Sequence, residues 1–118
     1  MHDSAAVAAK RFSGELDGNV YSRLSNPTVA ALEERVAALE GGRAALASAS
    51  GMAAEAMALM TILQQGDHVV AAGALYGGSV SMLSVNLAKF GITTSFVDAT
   101  DPEACAAAIR PNTRALGA

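Results

Sequence analysis

From residue 27 to the end, segments with the period of a helix alternate with short runs of strand composition, and this alternation restricts the fold more than any other feature. VAALEERVAALE, residues 29–40, puts Val29, Leu32, Val36 and Leu39 on one helical stripe, with Glu33, Glu34 and Arg35 away from it. Asn26 and Pro27 read as cap and first helical residue, and Gly41 and Gly42 as the stop. ALASAS, residues 45–50, suits a strand or a helix by periodicity alone. The helix expected over about 51–64, with Met52, Ala56, Leu59, Met60 and Leu63 facing inward, calls for a strand or turn in front of it. After a turn at Gly66 and Asp67, HVVAAGA reads as a buried strand. YGGSVSMLSVNLAKFG carries Val80, Leu83, Leu87 and Phe90 at helical spacing, and ITTSFVD is rich in β-branched residues. Asp101 and Pro102 repeat the cap pattern ahead of ACAAAIR, and TRALGA opens a further strand. Four helix–strand alternations with crossovers longer than a dozen residues predict an α/β fold, parallel strands covered by helices.

Composition narrows the function. With 16% charged and 52% hydrophobic residues and a net charge of −3, the 118-residue chain offers no basic face for nucleic acid and no polybasic patch for a membrane surface. Between Ala44 and Val97 only Glu55, Asp67 and Lys89 are formally charged, but Gly, Ser and His interrupt the apolar runs too often for a membrane span. The single Cys105 excludes an internal disulfide, and with His2 and His68 it forms no metal-ligand spacing. The N-terminal residues lack the apolar segment of a secretory signal, so a cytoplasmic protein is expected.

Three stretches could carry chemistry. SASGMAA lies where a helix begins at the carboxyl edge of the expected sheet, and the first N–H groups, at Gly51 and Met52, suit an anion such as phosphate. The same residues equally describe an ordinary cap by Ser50. ALYGGS places Tyr76 and two glycines just after a strand, either as a lid over a flat ligand or as packing at a helix start. NVYSRLSNPT puts Tyr21 and Arg23 in a loop before a helix, which alone is consistent with solvated surface. There is neither GxGxxG nor GxxxxGK[ST], which disfavours dinucleotides and nucleoside triphosphates.

Taken in order, YSRLSNPT, LEERVAALEGG, SASGMAA, GDHVV, LYGGS, KFGI and IRPNTRAL resemble the Cys/Met metabolism family of pyridoxal-phosphate (PLP) enzymes, over nearly the whole chain from Asn19 onward. The wording is most similar to the O-acetylhomoserine and O-succinylhomoserine sulfhydrylases of that family. The resemblance implies a PLP-dependent transferase or lyase of trans-sulfuration and methionine biosynthesis, with the cofactor pyridoxal 5'-phosphate, a small amino-acid substrate and an aspartate-aminotransferase-like fold. It implies that Gly51 and Met52 hold the cofactor phosphate, that Tyr76 stacks on the pyridine ring, and that Tyr21 and Arg23 hold the phosphate of the neighbouring subunit. A homo-oligomer, dimer or tetramer, with shared active sites follows from the same resemblance.

The family also needs a Schiff-base lysine and an aspartate at the pyridine nitrogen. Neither Lys10 nor Lys89 matches that lysine, so no catalytic residue is expected within these residues. The expected organisation is an N-terminal arm over 1–28 that contacts a neighbouring subunit, then the first part of a truncated PLP-binding domain over 29–118. The expected activity is γ-replacement on an O-acylhomoserine with sulfide to give homocysteine. Cystathionine γ-synthase, methionine γ-lyase and a non-catalytic phosphate-binding or dimerisation fragment are the alternatives.

Overall fold

Polar caps written in the sequence set the helix starts. In the computed structural model, which describes residues 4–19, 21–22 and 25–118, the chain forms two compact units, Met1–Ala47 and Ser48–Ala118. In the first, helix α1 (Ala5–Phe12) begins where Ser4 Oγ accepts the Val7 N–H at 3.2 Å. This helix was not expected from the polar character of residues 1–28. Lys10 and Arg11 occupy its last turn, where the carbonyl end of the dipole favours cations. Helix α2 (Pro27–Glu40) starts at Asn26, whose side chain accepts the N–H groups of Thr28 and Val29, and ends at Gly41 with φ 63°. Its stripe of Val29, Leu32, Val36 and Leu39 is exposed, Leu39 to 81%.

Residues 45–50 form no strand, which corrects the expectation of a β-element there. The run offers little side-chain area to bury in a ladder. Two of its polar groups find partners outside any ladder: the Ala47 N–H donates to Glu33 Oε1 on α2 at 2.7 Å, and the Ser48 hydroxyl to the Ser50 carbonyl at 2.8 Å.

The second unit contains helix α3 (Gly51–Ile62), strand β1 (His68–Ala72), helix α4 (Gly77–Ser81), strand β2 (Thr93–Val97), helix α5 (Pro102–Ala108) and strand β3 (Thr113–Gly117). Among the described residues the sheet has three strands, ordered β2-β1-β3, and both pairings are parallel. Central β1 is buried at every position, as a parallel strand covered on both faces must be. Leu63, Val69, Ala71, Met82, Leu83, Leu87 and Ile92 make the core, with Met52, Ala56, Leu59, Leu75 and Ala115 packed against it.

One inward assignment is corrected, and one residue expected at helical spacing lies outside the core. Met60 is 59% exposed, because Met52, Ala56, Leu59 and Leu63 already form the inward stripe of α3 and its C-cap, and position 60 falls beyond that stripe's edge. Phe90 is also exposed. The segment after α4 is not a regular helix: it runs as a π-turn, Met82–Asn86, and then a 3₁₀ turn, Leu87–Phe90. Those changes of winding rotate later side chains off a 3.6-residue period, bringing Met82 inward and turning Phe90 out.

The amino edge of the sheet is locked by backbone bonds. Gly66 N–H donates to Gly91 O, Thr93 N–H to Asp67 O and His68 N–H to Asn112 O, all at 2.9–3.0 Å. Asn112 Nδ2 returns a bond to Gly66 O at 2.8 Å. This leaves the carboxyl edge, where α3 and α4 begin, as the open side. Among the described residues no helix is long and apolar enough to cross a membrane.

Candidate functional site

Helix α3 begins with an arrangement that saturates one part of its first turn and leaves another open. Ser50 is extended, with φ −161° and ψ 163°, and its Oγ accepts the Ala53 N–H at 3.1 Å. Its carbonyl accepts the Ala54 N–H at 3.0 Å. The N–H groups of Gly51 and Met52 have no acceptor among the described residues. They sit at the positive end of a twelve-residue helix, where an anion is favoured without any cationic side chain.

The turn into α4 stands beside this helix start. A Cβ on Gly78 would lie 2.6 Å from Tyr76 Cε1 and 3.1 Å from Met52 Sδ, so the Tyr76 ring and the Met52 thioether close over a glycine that has no side chain to displace them. Tyr76 keeps 74% of its surface exposed, which leaves ring area open to a flat ligand. Below it, buried Ser79 donates its hydroxyl to Glu55 Oε2 at 2.7 Å, and its Oγ lies 4.0 Å from Met52 Sδ. Glu55 and Ser79 also line a cleft of about 340 Å³ whose apolar wall includes Leu59, Val69, Leu75 and Leu83.

Of the residues singled out from the sequence, the side chains of Met52 and Tyr76 meet at Gly78, and Gly51 precedes Met52 in the first turn of α3. Tyr21 belongs to the first unit and is exposed, while Arg23 lies outside the described residues. Lys89 occupies the 3₁₀ turn that ends at Gly91, against the amino edge of the sheet. Glu55 and Ser79 were not singled out from the sequence. The available signal was Glu55 itself, the one charged residue of an otherwise apolar helix.

His68 is fully buried between the strands. Nδ1 meets Thr113 Oγ1 at 2.7 Å and Nε2 meets Ser95 Oγ at 2.9 Å. Thr113 Oγ1 accepts the Arg110 N–H at 2.8 Å and Ser95 Oγ accepts from Arg110 Nη2 at 3.3 Å, so each hydroxyl keeps a proton to give, and either tautomer of the neutral ring finds one donor and one acceptor. Burial, and then the Arg110 guanidinium, hold the His68 pKa below the usual 6.5. His68 thus ties the three strands together as a neutral ring. Among the described residues no group of three or more His, Cys, Asp or Glu could hold a metal ion.

Known proteins resemble this chain in sequence and fold. The O-acetyl-L-homoserine sulfhydrylase of Corynebacterium glutamicum is 49% identical over 117 residues, 98% of this chain and 27% of its own length. The L-methionine gamma-lyase of Porphyromonas gingivalis is 43% identical over 114 residues, 97% of this chain and 29% of its own. The chain thus spans less than a third of the length of these curated relatives. A Campylobacter jejuni structure described as an O-acetylhomoserine (thiol)-lyase, which contains a pyridoxyl-lysine phosphate, superposes with a TM-score of 0.79 at 39% identity, over 98% of this chain and 29% of that one. The model of the family described as Cys/Met metabolism PLP-dependent enzyme matches residues 2–116, and the chain belongs to that family.

Proposed function

We propose that these residues form the phosphate-holding part of a PLP-dependent enzyme that exchanges the γ-substituent of an O-acylhomoserine for sulfide, giving homocysteine. The observation that carries this reading is the pair of unpartnered N–H groups at Gly51 and Met52, in a helix start whose Met52 side chain meets the Gly78 turn that carries the exposed ring of Tyr76. The donor set fits the cofactor: two backbone donors and a helix dipole suit a phosphate dianion, and a phenol ring suits a pyridine face. When bound, PLP supplies an electron sink for charge that develops on the substrate carbon.

In this reading Gly51 and Met52 each donate a backbone hydrogen bond to the phosphate, and Ser50 keeps the helix start rigid by capping Ala53. Tyr76 limits the tilt of the pyridine ring. Residues 1–28 serve as an arm toward a neighbouring subunit, where Tyr21 and Arg23 complete the partner's phosphate site in a cytoplasmic dimer or tetramer. A guanidinium fork and a phenolic hydroxyl suit that anion.

The substrate assignment rests on similarity to sulfhydrylases at 45–50% identity, with methionine gamma-lyases following at 41–43%. The deciding experiment assays an enzyme that carries these residues together with a Schiff-base lysine, with O-acetylhomoserine or O-succinylhomoserine plus sulfide, and with methionine alone. Homocysteine formation from an acylhomoserine supports the proposal, whereas methanethiol release from methionine as the dominant activity replaces it with the γ-lyase reading. Equilibrium dialysis and ³¹P resonance of bound PLP test the phosphate site independently of turnover.

A further inference from the structure

We infer that Glu55 is a positioning residue: through its hydrogen bond with Ser79 it holds the Tyr76–Ser79 turn against the first turn of α3. The inference rests on the phosphate-site reading above and extends it to a residue that does not itself touch the phosphate donors. Glu55 stands three residues after Met52, so both face the same neighbour from successive turns of α3. That neighbour is the turn into α4. Met52 Sδ approaches the α-carbon side of Gly78, and Glu55 Oε2 accepts the hydroxyl of the next residue, Ser79, at 2.7 Å.

The two contacts differ in what they fix. A thioether against a glycine is soft and lets the turn slide. A short bond from a buried hydroxyl to a carboxylate is directional and falls off steeply with angle. Tyr76 has no side-chain bond that caps α4, so its ring takes its place from the backbone that Ser79 anchors. Glu55 is also the only charged side chain among the residues lining this cleft, and its hydrogen-bond partner is the serine that shares the wall. Glu55 is the one charged side chain of α3, and it faces the ring-bearing turn.

The test uses the full chain carrying 3-fluorotyrosine, with the Tyr76 ¹⁹F resonance assigned as the one missing in Tyr76→Phe. Glu55→Ala and Ser79→Ala should each shift the Tyr76 resonance in cofactor-free protein and raise the PLP dissociation constant about tenfold, while Glu55→Gln, which retains an acceptor, stays within about twofold of wild type. The double variant Glu55→Ala/Ser79→Ala should be no worse than either single one, as one shared bond requires. Ser79→Ala removes only a hydroxyl and serves if Glu55→Ala fails to fold. A Tyr76 resonance unmoved by Ser79→Ala overturns the inference, as does a Glu55→Gln variant as impaired as Glu55→Ala. If Gly51→Pro leaves PLP affinity intact, the phosphate-site reading fails; the ¹⁹F comparison then still decides whether Glu55 positions Tyr76.

Discussion

Replacing Gly51 by proline removes one hydrogen-bond donor and nothing else that the fold uses. Gly51 is the first residue of α3, where a proline ring lacks only an N–H that has no acceptor within the described residues. Ser50, which would precede the proline, is already extended, the conformation that proline demands of its neighbour. A Cβ at position 51 meets nothing within 4 Å. Stability should therefore hold or rise by about 0.4–1 kcal/mol, through loss of freedom in the unfolded chain. Affinity should move the other way. A donor to a phosphate dianion is worth about 1.5–3 kcal/mol, which corresponds to a dissociation constant about 10- to 150-fold higher. Equilibrium dialysis of PLP against urea unfolding of the cofactor-free protein reads both quantities. Gly51→Ala, which keeps the N–H, should lie near wild type in affinity. Unchanged affinity in Gly51→Pro refutes the phosphate assignment; an equal loss in Gly51→Ala shows that space, not the donor, matters at this position.

Other expectations follow from single contacts. Because the folded pKa of His68 is lowered, its contribution to stability is present above the unfolded value of about 6.5 and is lost as pH falls below it toward the folded value. Urea midpoints should drop between pH 7.5 and 5, and His68→Gln should flatten that slope; a flat wild-type profile contradicts the neutral-ring assignment. Leu83→Ala should cost about 2–5 kcal/mol, since the side chain is buried in the core cluster, and calorimetry or denaturant melts measure it. Asp101→Ala removes a cap that accepts the N–H groups of Glu103 and Ala104 and should cost about 1 kcal/mol by the same melts. Gly78→Ala should change stability by less than about 1 kcal/mol, because the atoms it meets end flexible side chains, but should move the Tyr76 ring enough to alter PLP affinity in dialysis.

Much of this was legible from residue order. Asn26, Ser50 and Asp101 stand directly before helices α2, α3 and α5, and each side chain accepts a first-turn N–H as the cap rule requires. The β-branched and apolar runs at 68–72, 93–97 and 113–117 became strands, and helical crossovers between them leave parallel pairing as the solution. Gly51, Met52 and Tyr76 could be marked because they follow strand-like or cap signals at the edge where such sheets bind ligands. These are local properties, carried by a residue and its near neighbours.

What only the tertiary structure decided depends on partners distant in sequence. Ala45–Ser50 could have been a strand by periodicity, but the structure gives it no ladder partner, and its Ala47 N–H turns to Glu33 on helix α2 instead. The run from Met82 to Phe90 keeps a helical pattern on paper, but its π and 3₁₀ turns choose Met82 over Phe90 for the core. His68 became a strand tie only when Thr113 and Ser95 arrived from both neighbouring strands. The Glu55–Ser79 bond joins residues 24 positions apart, a separation that no local period encodes. Caps and periods act within a turn or two of the chain; burial and side-chain pairing exist only once the strands and helices have met.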